Sequence, residues 1–377
     1  MAELRQNTWS LDEWYAQDVA GNVSYKGDGQ LFVWGRGTLG ELAQNNRTNL
    51  SSPTQVGGSW YGVNVLRRCG YGDLNHTTAV KNDGTLWMWG DNLYGALGLN
   101  GPTSDDRSSP AQVGTETTWK GGSPLNKATA VVKTDGTLWA WGFNWGGQLG
   151  QNEHDTYYSS PTQIPGTTWE QVGGGNCFTI VVKTNGELWS WGAAHNGKLG
   201  NNKNQSSSSG TSSPAQVGTD TTWACVSCTE NSAIATKTNG TLWAWGYGAN
   251  GQLGQDNTTS RSSPVQVGTE TTWGSTELTN MQGVNTTGSI KTDGTLWMWG
   301  DNARGQLGQN QGPSQLGGDS SPRQVGTEAT WRSVANLGTG DGAVLATKTN
   351  GTLWAWGTNH DGRCAQNNDP DNGGINA

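Results

Sequence analysis

Apolar residues in this chain come in short runs, and each run is bounded by Gly, Asn, Asp, Ser or Thr. Short apolar runs between turn residues predict strands rather than helices. One block sets the pattern: Lys133-Thr134-Asp135-Gly136-Thr137-Leu138-Trp139-Ala140-Trp141-Gly142. Before it lies an apolar strand, Thr129-Ala130-Val131-Val132. Asp-Gly then predicts a type I′ hairpin turn, in which both central residues have positive φ. In the next strand, Leu-Trp-Ala-Trp, the two Trp share one face and Leu and Ala the other. Both faces are apolar, so this strand should be buried on both sides.

The block repeats along the whole chain. Its second Trp falls at Trp34, Trp89, Trp141, Trp191, Trp245, Trp299 and Trp356, at intervals of 55, 52, 50, 54, 54 and 57 residues. A Ser-Ser-Pro-x-Gln-Val strand or a close variant starts at Ser51, Ser108, Ser159, Ser212, Ser262 and Ser320, and its Pro suits a sheet edge. A marker Trp follows each, at Trp60, Trp119, Trp169, Trp223, Trp273 and Trp331, with Trp9 as a seventh. Four short strands per unit, repeated seven times, predict an all-β fold: a seven-bladed β-propeller of four-stranded antiparallel blades. An open solenoid is the alternative, and it would leave Trp faces uncapped at its ends. The expected organisation is a closure or anchor segment at 1–21, the propeller at 22–367 and a polar tail at 368–377.

Composition sharpens this picture. Of 22 Trp, only Trp14 and Trp145 fall off the grid, so the tryptophans are architectural rather than a ligand cage. A net charge of −8 offers no broad basic surface, which disfavours sequence-independent nucleic-acid binding. No apolar run approaches the ~20 residues of a membrane span, and no basic-then-apolar signal peptide opens the chain. Cys225 and Cys228 have the spacing of half a zinc site. They sit in a strand-like stretch, however, and no second Cys/His pair accompanies them.

The stretch Trp141 to Gly150, Trp-Gly-x-Asn-x-x-Gly-Gln-Leu-Gly, closely resembles the regulator-of-chromosome-condensation repeat. That resemblance implies a seven-bladed propeller and leaves function open, because similar members include an exchange factor, an enzyme inhibitor, ubiquitin-ligase modules and phage virion proteins. The segment Gln6 to Tyr15 resembles the start of structural proteins from tailed phages.

Candidate chemistry is sparse. Gly192 to Leu199 nearly matches a phosphate-binding loop, but Leu199 replaces the required Ser or Thr. The segment is also the repeat's own turn, with Lys198 where other units have Gln148, Gln252 or Gln306. His76, His154, His195 and His360 are scattered and read as solvated loop residues. Asp83, Asp135 and Asp293 read as hairpin-turn residues. Asn367 to Gly373 loosely resembles a calcium loop that lacks its closing Glu. No enzyme, metal or cofactor is expected.

Residues that break the repeat are better binding candidates. Arg67, Arg68 and Asp73 lie in a longer loop. Leu93-Tyr94, Asn144-Trp145 and Ala303-Arg304 fill one variable slot, where Tyr94, Trp145 and Arg304 could dock a sugar or protein, or simply cap a blade edge. Ser10-Leu11-Asp12-Glu13 is a capping box for a short helix over about 11–19. Leu4, Trp9, Trp14 and Tyr15 belong to the closure or anchor segment, with residues 2–6 expected to supply the last blade's outer strand.

The function expected from these features is a non-enzymatic virion structural or adhesion protein. It would be made in host cytoplasm and bind other virion proteins and a host-surface glycan or protein. The alternative is a soluble protein-binding propeller, such as an inhibitor. A small-GTPase exchange factor ranks lower, because the tight third and fourth units leave no room for an inserted wedge.

Overall fold

The structure, a computed structural model, describes residues 29–60, 76–203, 210–276, 279–283, 285–310, 318–336, 342–366 and 374–375. Its strands are β1 (Gly29–Gly35), β2 (Leu50–Trp60), β3 (His76–Val80), β4 (Leu86–Gly90), β5 (Arg107–Gln112), β6 (Trp119–Leu125), β7 (Ala128–Lys133), β8 (Leu138–Phe143) and β9 (Tyr157–Ile164). There follow β10 (Trp169–Gly175), β11 (Phe178–Lys183), β12 (Leu188–Gly192), β13 (Thr211–Gln216), β14 (Trp223–Cys228), β15 (Ser232–Lys237), β16 (Leu242–Gly246) and β17 (Arg261–Gln266). The last are β18 (Asn280–Gln282), β19 (Thr286–Ile290), β20 (Leu296–Gly300), β21 (Asp319–Gln324), β22 (Trp331–Asn336), β23 (Val344–Lys348), β24 (Leu353–Thr358) and β25 (Gly374–Ile375).

These strands form an all-β propeller of antiparallel sheets. In chain order, sheet 1 is β1–β2, sheet 2 is β3–β5, and sheets 3 to 7 are β6–β9, β10–β13, β14–β17, β18–β21 and β22–β25. Five sheets thus have the expected four strands, while sheets 2 and 1 show three and two among the described residues. The N-terminal helix and residues 2–6 lie outside the described residues. The supposed polar tail contributes a strand: Ile375 and Gly374 pair with Gly357 and Thr358.

The hairpin turn differs from expectation. Gly136 is left-handed at φ +77°, but Asp135 is not. Gly136 N donates to Lys133 O at 3.0 Å, so the turn is a type I turn closed by a left-handed glycine. The reason is local. Asp135 accepts both the N–H and the hydroxyl of Thr137, at 2.9 and 2.7 Å, which holds the aspartate backbone in place. Asp83 and Asp293 do the same for Thr85 and Thr295.

The core lies between sheets. Phe178, Ile180, Val182 and Leu188 of sheet 4 pack with Val226, Ala233, Ala235 and Trp245 of sheet 5 in one buried cluster. The same contact recurs between sheets 3 and 4. Each grid Trp crosses such a boundary. Trp89, Trp141, Trp191, Trp245, Trp299 and Trp356 donate their indole N–H to the carbonyls of Glu41, Ala96, Gln148, Lys198, Gln252 and Gln306 in the preceding sheet, at 2.7–3.0 Å. Trp34 donates to Arg363 O at 2.8 Å and so joins the first sheet to the last. Asn49 reinforces this junction with a 3.0 Å bond to Asp361. The sheets therefore close on themselves, which excludes the open solenoid.

A lysine clamp marks every hairpin from sheet 2 onward. Lys81, Lys133, Lys183, Lys237, Lys291 and Lys348 lie 3.6–4.2 Å from the ring centroid of the first Trp of the Leu-Trp-x-Trp strand. They lie 4.6–5.2 Å from the marker Trp. Acidic residues of the preceding turn pair with four of them: Glu116 with Lys133, Asp220 with Lys237, Glu270 with Lys291 and Glu328 with Lys348. A largely desolvated cation between two indoles is worth about 2 kcal/mol.

Two stability predictions follow from this architecture. Trp191 is fully buried, so Trp191→Ala should cost about 3–5 kcal/mol through cavity formation and the lost hydrogen bond. Denaturant unfolding measures it, and a loss under about 1 kcal/mol would contradict the inter-sheet role. The second concerns the turn residue beneath each grid Trp. It is glycine at Gly98, Gly150, Gly200, Gly254 and Gly308, with φ between +63 and +69°. Ala43, beneath Trp89, and Ala365, at the ring junction beneath Trp34, take its place at φ +56°. A left-handed alanine costs about 1–2 kcal/mol, partly offset by the lower chain entropy of alanine in the unfolded state. Ala365→Gly should therefore raise stability by up to about 1 kcal/mol, read from the same unfolding curves.

Candidate functional site

The variable slot lies in the loops between the third and fourth strands of the sheets. An Asn anchors several of these loops: Asn92, Asn144, Asn302 and Asn359 accept the backbone N–H five residues on, at 2.8–3.0 Å. Counting from that Asn puts Tyr94, Gly146 and Arg304 at one position, and Leu93 with Trp145 at the position before. The sequence pairing of Tyr94 with Trp145 is thus one residue out of register.

The Tyr94 position is left-handed in sheets 2, 4 and 7, though not at Gly146 or Arg304. Asn196 and Asp361, residue types that tolerate this conformation, occupy it at φ +61 and +60°. Tyr94 adopts φ +61° with a bulky aromatic side chain. The strain, of order 1 kcal/mol or more, places its ring in a cluster. Tyr94 stacks on Phe143 of sheet 3 at 4.5 Å between centroids and lies 6.3 Å from Tyr157. Lys127 Nζ sits 5.7 Å from the Tyr94 ring, and Phe143 N bonds Lys127 O. Tyr157 is 56% exposed, and Trp145, two residues beyond Phe143 at the end of β8, is 45% exposed. Glu153 and Asp155, both exposed, precede Tyr157. The arrangement offers open aromatic rings beside carboxylates and has the chemistry of a docking surface.

Of the other proposed binding residues, Arg304 is exposed in the sheet 6 loop, where its N–H bonds Gln306, and it does not join this cluster. Arg67, Arg68, Asp73, Leu4, Trp9, Trp14 and Tyr15 lie outside the described residues, as does the calcium-like stretch 367–373.

Two histidines are not solvated as expected. His76 is buried on β3 and its Nε2 lies 3.0 Å from Thr129 Oγ1, because the repeat places this position against the neighbouring sheet. His195 is half-buried beside Lys198. Lys198 is fully buried, at 0% exposure. Its Nζ donates to Asn176 O at 2.6 Å and lies 3.0 Å from His195 Nε2 and 3.3 Å from Asn231 Oδ1. Burial pushes its pKa from 10.5 down to about 7, against the opposing pull of Cys177 and Glu230. Burial pushes the Cys177 thiol up to about 11, which keeps it protonated and poorly nucleophilic. The near-match to a phosphate loop is thus a buried polar node, with its amine turned inward. Cys225 and Cys228 are buried on β14, as strand spacing implied. Among the described residues no three metal-ligating side chains converge, and no helix is long and apolar enough to cross a membrane.

A closed ring of antiparallel sheets, stitched by tryptophans that recur every fifty-odd residues, defines a β-propeller built from one repeated unit. The chain carries regulator-of-chromosome-condensation (RCC1) repeats: that family matches residues 135–182, 239–275 and 293–340, and a second repeat family of the same description matches 70–96. Human Protein RCC2 is 29% identical over 143 residues, which cover 36% of this chain and 26% of the relative. The human E3 ubiquitin-protein ligase HERC2 is 39% identical over 84 residues, 22% of this chain and 2% of the ligase. The chain thus spans about a quarter or less of the length of these relatives. Yeast RCC1 (Prp20), solved with Kap60, superposes with a TM-score of 0.73 at 18% identity, over 93% of this chain and 86% of that one. Human WBSCR16 gives 0.74 at 19% identity, over 92% and 94%.

These relatives overturn the virion reading, since they are eukaryotic RCC2- and RCC1-type proteins. The Asn- and Ser-rich surface that suggested a particle protein belongs to the repeat itself. Ser109, Ser160 and Ser213 bond Asn45, Asn100 and Asn152 of the preceding sheet at 3.0–3.1 Å. These polar residues seal sheet boundaries.

Proposed function

We propose that this chain is a non-catalytic protein-binding propeller that docks a partner through the loop face at the junction of sheets 2 and 3. The observation that carries this reading is Tyr94, a bulky residue held in a left-handed conformation so that its ring meets Phe143 and Tyr157. Strain of this kind persists where something else depends on it. The partner is a protein segment that brings an Arg or Lys to the rings. Glu153 and Asp155 beside Tyr157, and a net charge of −8, favour such a segment, and Lys127 over Tyr94 already occupies one ring in the same manner. Propellers of this fold bind proteins: Prp20p of Saccharomyces cerevisiae binds Gsp1p and histones, and yeast RCC1 binds Kap60.

Affinity capture with wild type, Tyr157→Ser and Tyr94→Asn in parallel tests the proposal. Tyr94→Asn keeps a residue suited to the left-handed turn. The expected result is loss of the same captured proteins in both variants with melting temperature unchanged. An identical set from all three forms rejects the site.

We further propose seven four-stranded blades, with residues 2–6 extending the outer strand of sheet 7, where β25 pairs with Gly357 and Thr358 alone. The support is the set of seven indole donors around the ring, together with the edge of β24. Leu353 and Trp354 are 49% and 45% exposed there, whereas Leu138 in the corresponding place is buried. A cleft of about 590 Å3 borders this edge, lined by Gln324, Val325, Glu328, Trp331, Lys348 and Trp354. Deleting residues 2–6 should lower the melting temperature of the isolated protein. An unchanged value would mean that another segment, or none, covers the edge.

A further inference from the structure

One buried cluster does no work for the propeller that a glutamine could not do. In sheets 3, 5 and 6 the residue whose carbonyl accepts the grid Trp is Gln148, Gln252 or Gln306. Each glutamine folds its side chain back onto the backbone N–H two residues earlier, at 2.7–2.9 Å. Sheet 4 has Lys198 at this place, and its amine reaches across to sheet 5 instead.

The hydrogen-bond inventory of that amine is over-determined. His195 Nε2 lies 3.0 Å from Lys198 Nζ and 2.9 Å from Asn231 Oδ1. Asn231 Oδ1 also faces Lys198 Nζ at 3.3 Å. If Lys198 is charged, its three N–H groups face Asn176 O, Asn231 Oδ1 and an unprotonated Nε2, and the 2.9 Å contact between Nε2 and Oδ1 then carries no proton. If Lys198 is neutral, Nε2–H donates to Asn231 Oδ1 and the amine lone pair faces the ring. If both carry protons, two cationic N–H groups oppose each other at 3.0 Å in a buried site, and no arrangement satisfies them. The surroundings do little to relieve this. Asn176 and Cys177 of sheet 4 and the Phe178 ring, 5.0 Å from Nζ, are uncharged neighbours. From sheet 5, Glu230 is the acidic group that faces the amine, and it is engaged by Asn176 Nδ2 at 3.2 Å. Lys127 of sheet 3 adds further positive charge near Cys177.

We propose that Lys198, His195 and Asn231 form a one-proton latch across the junction of sheets 4 and 5, which opens when a second proton binds. Opening moves the half-buried His195 ring toward solvent and frees Asn231. The latch shares the loop face with the docking cluster. Asn176, which accepts from Lys198, also accepts the side-chain N–H of Asn126 at 2.7 Å, and Asn126 adjoins Lys127 beside Tyr94. The latch itself does not rest on the docking proposal.

Burial, then Lys198, lowers the His195 pKa below 6.5. Both groups bind protons less readily when folded than when unfolded. Stability therefore rises with pH wherever only the unfolded chain holds the extra proton: for Lys198 between about 7 and 10.5, for His195 below 6.5. The experiment compares wild type with Lys198→Gln, the residue other sheets use. Melting temperatures are recorded from pH 5 to 10, with the His195 ring titrated by NMR.

The expected result has two parts. The wild-type melting temperature climbs relative to the variant between pH 7 and 10, and the His195 midpoint moves up once the amine is gone. Parallel melting curves, or a His195 midpoint that does not move, overturn the latch. Should Lys198→Gln fail to fold, His195→Gln decides. Its curve should be flatter than wild type below pH 6.5, and curves that stay parallel there reject the proposal.

Discussion

The fold depends on a hydrogen bond that each sheet makes to its neighbour rather than to itself. From Trp89 onward the grid indole N–H is buried with its ring, where a donor without an acceptor costs about 1–3 kcal/mol. The preceding sheet supplies that acceptor as a loop carbonyl. In four places the same oxygen takes a second bond from a threonine on the next sheet's second strand: Thr77 to Glu41, Thr129 to Ala96, Thr179 to Gln148 and Thr287 to Gln252. Both lone pairs are then used, and the loop that carries the oxygen cannot drift. The turn two residues on must pass under the indole. At Gly254 an added Cβ would stand 2.9 Å from Trp299 Nε1, and five of the seven turns keep glycine there, so the left-handed turn and the Trp come as one unit.

The lysine clamp shows how far this unit resists change. The linker into sheet 4 runs Ile164-Pro165-Gly166-Thr167-Thr168-Trp169 and is one residue shorter than Val113 to Trp119. The shortening forces Thr168 to φ +71°, which a β-branched residue resists. It also removes the acid that Glu116 or Asp220 provides elsewhere. The hairpin replaces it: Glu187 stands where other units have Thr, lies 3.9 Å from Lys183 and accepts the Trp189 indole N–H at 3.0 Å. Two departures from the repeat, about twenty residues apart, cancel in space.

What was legible in the sequence follows from this. The strands, their order and the burial of the grid Trp from Trp89 onward came from spacing within one unit. Partners in the neighbouring unit were not legible, because the grid Trp and its carbonyl lie some fifty residues apart with no shared local pattern. The lysine clamp could have been found. Lys81, Lys133, Lys183, Lys237, Lys291 and Lys348 recur with the same period as the tryptophans. Lys198 was visible as a departure from Gln, but its inward direction and its contact with sheet 5 depend on packing. The docking cluster was half legible. Tyr94 and Trp145 stood out, while Phe143 and Tyr157 looked like ordinary strand ends until the fold brought Tyr94 onto them.

A propeller of this kind leaves few positions free to vary. Within each unit the Trp, Gly, Lys, Thr and outer-strand Ser are committed to turns or sheet boundaries, and a change there must be answered elsewhere, as Glu187 answers the short linker. The loop position two residues beyond the anchoring Asn is different, because neither its residue type nor its backbone conformation is common to all the sheets. Asn196 and Asp361 adopt the same left-handed conformation as Tyr94 without its bulk, whereas Gly146 and Arg304, whose N–H groups bond a Gln two residues on, do not adopt it. Tyr94 combines the conformation with a large ring. The repeat does not require that ring, and the stacking on Phe143, about 0.5–1.5 kcal/mol, only roughly offsets the strain. Stability alone gives little reason for a tyrosine there, which leaves recognition at the loop face as the stronger one.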